Sequence, residues 1–157
     1  MIPTTDIAAF LRSGRLMLPE LERLYRFWDA KRAGRAAPAQ RDLAMEELKP
    51  WLGHLLVIEV IDGGADFVYR VYGTAISAFF GNDLTGKRLN EVDEATQEAV
   101  GKERRDVVAT LRPTCGVRPP RTFREHTLVA RASLPLSHDG HAVDQLLIGI
   151  YHFTSPV

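Results

Sequence analysis

The 157-residue sequence has only one cysteine, Cys115. That excludes an internal disulfide, and it leaves no Cys-x-x-Cys pair for structural zinc or redox chemistry. No apolar run reaches the 18 residues that a membrane-crossing helix needs. The opening MIPTTDIAAF lacks the basic-then-apolar layout of a secretory signal. Both absences set the expectation of a cytoplasmic protein with no membrane partner. Also missing are a nucleophile elbow, a phosphate-binding glycine loop and a His-Glu-x-x-His helix, so no metal and no enzymatic activity are expected. There is no internal repeat and no low-complexity tract.

Excess charge of either sign is missing as well, with 20 Lys or Arg against 20 Asp or Glu. The balance is uneven along the chain: residues 1–41 hold eight basic and four acidic side chains, and residues 42–157 hold twelve and sixteen. Such a split fits two solvated faces or an acidic neighbour better than a nucleic-acid patch. What the chain does have is apolar material: 45% of residues, with two Trp and seven Phe, enough for a single core.

The most legible stretch is residues 55–86, LLVIEVIDGGADFVYRVYGTAISAFFGNDLTG. Residues 55–61 are apolar except for Glu59, and they stop at Asp62-Gly63-Gly64, residues suited to the positive φ of a hairpin. A second strand then returns over 67–73, with Phe67, Tyr69 and Val71 on one face and Val68, Arg70 and Tyr72 on the other. Thr74 is placed to cap a helix whose apolar side is Ile76, Phe79 and Phe80, closed by Gly81.

Helices flank this hairpin. Asp6, or Thr5, can cap a short helix to Leu11 that Gly14 ends. From Pro19 to about residue 33, Leu21, Leu24, Tyr25 and Trp28 form one apolar stripe, with Glu22, Arg23, Arg26 and Arg32 opposite. A connector, RAAPAQR, precedes a helical turn or two from Asp42, to be interrupted at or before Pro50. A longer helix is expected from Asn90 to Leu111, with the run KERRD at 102–106 turned largely outward. Strands are expected at 114–118, between 125 and 136, and at 143–153, the last two joined by Ser137-His138-Asp139-Gly140.

Helices, two strands, helices, three strands is the order of a PAS domain. The motif residues sharpen the likeness: Phe67, Tyr69 and Arg70 run into Gly73-Thr74, and Gly81, Asp83, Thr85 and Gly86 follow as a Gly-x-Asp-x-Thr-Gly turn. The segment resembles a bacterial, alphaproteobacterial-type PAS-like family. LYRFWDAKRAGR with Pro38 and Arg41 resembles that family's helical lead-in. LPLSHDGHAVDQLLIG resembles its closing hairpin, through Leu134, Pro135, Leu136, Asp139, Gly140, Val143 and Asp144. The resemblance implies an α+β fold, a five-stranded antiparallel sheet with helices on one face. It divides the chain into a helical lead-in, residues 1–50, and a PAS-like unit, residues 51–157.

The resemblance also implies where a ligand would sit, between the inner sheet face and the helices. The candidate lining is Tyr69, Arg70, Val71, Ile76, Phe79, Phe80, Val107, Leu111, Leu134 and Ile148. The same residues would equally make a filled core, so a ligand-binding sensor and a protein-binding adaptor both stand. In the adaptor reading the partner surface is Arg23, Arg26, Arg32 and Arg35. Arg70 needs an acidic or carbonyl partner, which Glu59 or Asp83 could supply, with direct contact to an anionic ligand as the alternative. Flavin photosensors of this fold carry a cysteine in an Asn-Cys-Arg-Phe-Leu-Gln helix, which Cys115 does not match, and haem sensors carry a histidine on the long helix, where residues 90–111 have none. Flavin and haem are therefore disfavoured.

The stripe Leu21, Leu24, Tyr25 and Trp28 is the candidate surface for a homodimer. No output module accompanies it, so a signal would leave through an unknown signalling protein. A small enzyme using His126 or His152 with Asp144 as base is the remaining alternative. His138 and His141, flanking Asp139, suit a solvated turn.

Overall fold

The computed structural model describes residues 1–120 and 124–155. Among these, six strands form one antiparallel sheet: β1 (Ile2–Asp6), β2 (Leu55–Ile61), β3 (Asp66–Tyr72), β4 (Thr114–Arg118), β5 (Thr127–Leu136) and β6 (Gln145–Thr154). Their spatial order is β1-β4-β5-β6-β2-β3. The five expected strands lie side by side, and β1 adds a sixth at the edge of β4. Its register runs Ile2↔Val117 to Thr5↔Cys115, so Pro3 and Thr4 bulge opposite Gly116. Proline is tolerated there because a bulge at an edge leaves its missing N–H unneeded.

The described residues form five α-helices: α1 (Ile7–Arg12), α2 (Pro19–Arg32), α3 (Met45–Leu48), α4 (Thr74–Phe80) and α5 (Glu94–Thr110). Capping follows the sequence closely. The Asp6 carboxylate accepts from the Ala9 amide, and that of Asp93 accepts from Thr96 at 2.9 Å. Thr74 is the first helical residue of α4 rather than its cap, a position taken by Gly73. Nothing else fits at Gly73, where a Cβ would meet the Gly53 carbonyl oxygen at 2.3 Å. α3 stops at Leu48, before Pro50, which sits in the first turn of a 3-10 segment, Lys49–His54, where its absent N–H has no partner to lose.

Helices lie on both faces of the sheet, not on one. Strand alternation splits the core accordingly. Leu55, Ala130, Ala132, Leu134, Leu136 and Leu147 face α1 and α2, whereas Leu56, Ile58, Phe67, Tyr69, Leu146 and Ile148 face α4 and α5. The lead-in therefore shares a core with the sheet. Leu21 and Leu24 settle over Gly149, where a Cβ would come within 2.8 Å of both side chains. The Trp28 indole donates to the Pro135 carbonyl at 2.8 Å, and the Trp51 indole donates to the Glu20 carbonyl at 2.9 Å. Pro135 fits inside β5 because pairing with β4 stops at Ser133.

This packing overturns the expected dimer surface. Leu21, Leu24, Tyr25 and Trp28 are all buried, Leu24 completely, in contact with the chain's own sheet. An amphipathic stripe records that a face is covered, not by what, and here the cover is intramolecular.

Candidate functional site

The site begins at an irregularity in the central hairpin. β2 and β3 pair Val57↔Val71 and then Ile58↔Tyr69, so Arg70 is an extra residue in a β-bulge. The bulge breaks the two-residue period. Phe67 and Tyr69 face inward, but so does Tyr72, while Val71 turns out to 39% exposure. Arg70 is exposed and its Nε donates to Glu59 Oε2 at 2.5 Å. That pair keeps both groups outside the cavity, so Arg70 and Val71 are not lining residues. Leu134 is not one either, since it points to the α1–α2 face.

Opposite the hairpin stands α5, and two residues of its charge run turn inward. Lys102 and Asp106 pair with each other in solvent. Glu103 and Arg104 lie on the sheet side, with Arg104 only 4% exposed. Arg104 Nη1 donates to the Tyr69 hydroxyl at 3.1 Å, and its guanidinium carbon lies 5.0 Å from that ring's centroid. Arg131 from β5 binds Glu103 through two bonds, Nε to Oε1 at 2.7 Å and Nη2 to Oε2 at 3.0 Å. Arg118 from β4 adds Nη1 to Oε2 at 3.3 Å and to the Ala99 carbonyl at 3.0 Å. Gly116 makes room for this cluster, because a Cβ there would lie 2.9 Å from Arg131 Nη2.

Tyr69, Arg104, Arg118 and Arg131 line a cavity of about 130 Å³ between the sheet and α4–α5, with Glu103 behind the arginines. Its apolar wall includes Leu56, Ile76, Val100, Val129 and Ile150, and it is also lined by Phe80 and by Tyr72, which is bonded to Asn82 at 2.8 Å. Of the residues expected there, Tyr69, Ile76 and Phe80 line the cavity. Val107, Leu111 and Ile148 pack in the neighbouring core, and Phe79 stacks on His152 with ring centroids 4.0 Å apart. Arg104, Arg118 and Arg131 went unrecognised in the sequence. The only signal was the spacing of Arg104 three residues before the apolar Val107 on one helix.

Electrostatically the cluster is unbalanced. Three guanidinium groups face a single carboxylate, Glu103, among the described residues. Burial holds the Arg118 guanidinium below its ordinary pKa, and the positive charge of Arg131 adds to that, with Glu103 opposing. Arg131 Nη1 is buried without a hydrogen-bond partner among the described residues. The Nη2 of Arg131 also donates to Thr4 Oγ1 at 2.6 Å, and that hydroxyl lies 3.2 Å from Glu103 Oε2. The bulge of β1 is thereby tied into the wall of the cavity.

Comparison with known families decides what the fold is: residues 17–151 match the PAS domain family. The chain belongs to the PAS domain family. Comparisons with curated proteins and with solved structures found no match. The matched span of this PAS domain begins one residue before α2 is capped, so it takes in α2 on the second face and leaves β1 and α1 outside. Among the described residues no helix is long and apolar enough to cross a membrane.

The remaining alternatives take their places around this site. His152 lies against Phe79 and is held below the ordinary imidazole pKa, mainly by burial. Asp144 accepts from the His138 amide at 2.7 Å, and it lies eight residues from His152, which extended chain makes roughly 26 Å. His126 pairs with Glu125. These three residues are not brought together. Asp139 accepts from the amides of His141 and Ala142, which hold its carboxyl down at about 2, so the His138–His141 segment is built as a turn. On α2 and after it, Arg26, Arg32 and Arg35 pair with Glu22, Asp29 and Asp42, which neutralises most of the basic surface expected for an adaptor.

Proposed function

We propose that this PAS domain is a non-catalytic, cytoplasmic sensory and interaction domain that binds a small molecule in the cavity beside α5 and passes the change to a partner protein through its N-terminal segment. The observation that carries this reading is the Thr4–Arg131–Glu103 contact, which links the cavity wall to β1. β1 leads directly into α1, whose first amide bonds the Pro113 carbonyl at 2.9 Å. A ligand that competes with Glu103 for Arg131 or Arg118 changes what holds Thr4. It can then shift the equilibrium between docked and released lead-in, provided that it binds one of them more tightly. The partner would read the surface of β1 and α1 rather than the buried stripe of α2.

Hydrogen exchange tests the coupling without any ligand. In Glu103→Gln, exchange over residues 2–12 should rise more than exchange over β2, on the far side of the sheet. A uniform change across both segments would remove the proposed route.

A further inference from the structure

We propose that the cavity is an anion site, selective for a small acid that carries an apolar body about the size of a benzene ring. The inference rests on the sensory reading above and names the ligand class for the same cavity. Its ground is the uneven charge of the wall. Arg104 is 4% exposed, has no carboxylate partner among the described residues, and makes its one hydrogen bond there to the neutral Tyr69 hydroxyl. Arg131 Nη1, also buried, has no partner at all among them. A buried cation without counter-charge, as Arg104 is among the described residues, and a buried donor without an acceptor are both costly, and an anion delivered beside them relieves that cost.

The rest of the cavity sets the other half of the ligand. Leu56, Ile76 and Val129 supply an apolar surface across from the arginines. The volume of about 130 Å³ is close to the ~150 Å³ of a core cavity known to admit benzene. Planar guanidinium groups match carboxylate and phosphate oxygens by two parallel bonds, so either head group meets the same chemistry.

Calorimetric titration with benzoate, phenyl phosphate and benzamide tests this. Both acids should bind at least about tenfold more tightly than the neutral amide of the same shape, the difference expected for a charge-assisted hydrogen bond. Whichever acid binds better tells a carboxylate ligand from a phosphate one. Arg104→Met should lose that advantage, as should Arg118→Met if the first variant folds poorly, while Lys102→Met on the exposed side of α5 keeps it. Equal binding of benzamide, no binding of any probe, or an unchanged affinity in folded Arg104→Met overturns the anion site. The sensory reading would survive those results so long as Glu103→Gln still loosens residues 2–12, so the two failures are distinguishable.

Discussion

Removing the charge of Glu103 is the perturbation with the largest expected effect on the fold. Its side chain is 9% exposed and that of Arg131 is 7% exposed, so the pair is shielded from water and the cost of breaking it is not screened away. Glu103→Gln keeps the shape but leaves Arg131 and Arg118 without their one carboxylate. Breaking a buried pair from one side typically costs about 3–5 kcal/mol. For a domain of this length each kcal/mol moves the melting temperature by roughly 2–4 °C, so a fall of about 6–20 °C is expected. Thermal unfolding followed by circular dichroism reads it directly. The double replacement Glu103→Met with Arg131→Met should recover part of the loss, because one cation leaves with the carboxylate while Arg118 still lacks its partner. A single-variant shift of less than about 3 °C, or a double variant worse than the single, would refute the view that this ion pair is buried and mutually compensating.

Other substitutions probe the packing and the turn. Leu24→Ala should cost about 2–5 kcal/mol with no change of oligomeric state by sedimentation, since the side chain fills the protein's own core; dissociation of a dimer without loss of stability would contradict this. Gly149→Ala should cost about 1–3 kcal/mol in denaturant unfolding, because the new methyl group displaces Leu21 and Leu24. Asp139 contributes stability that is present above pH 4 and lost as the pH falls toward its folded value of about 2, so Asp139→Asn should flatten the acid limb of the stability profile between those limits. Burial pushes the Cys115 thiol up to about 11, so alkylation at pH 8 should proceed in denaturant and be strongly slowed in the native protein.

Much of the architecture could be read from local chemistry. The strand Leu55–Ile61, the glycine turn after it, the Asp6 cap and the strand Thr114–Arg118 all fall where residue type alone places them. The readings that failed share a cause, which is dependence on a distant partner. A bulge at Arg70 has no local signature, yet it inverts the faces of Val71 and Tyr72. Pro3 and Thr4 suit an edge strand only because β4 offers an open edge. The stripe of α2 shows a covered face, but the sheet that covers it lies a hundred residues away, at Pro135 and Gly149. KERRD reads as a solvated run until Arg131 arrives from β5 to pair with Glu103. The cavity was legible as a region, through Tyr69, Ile76 and Phe80, while its charged wall was not.

Native mass spectrometry of the purified protein, beside a denatured control, tests the ligand-holding cavity most directly. A small mass retained in the folded protein and lost on denaturation is the expected result, with an acidic compound released. Protein that carries no additional mass, and that gains none when benzoate or phenyl phosphate is supplied, would contradict a cavity that holds a small acid.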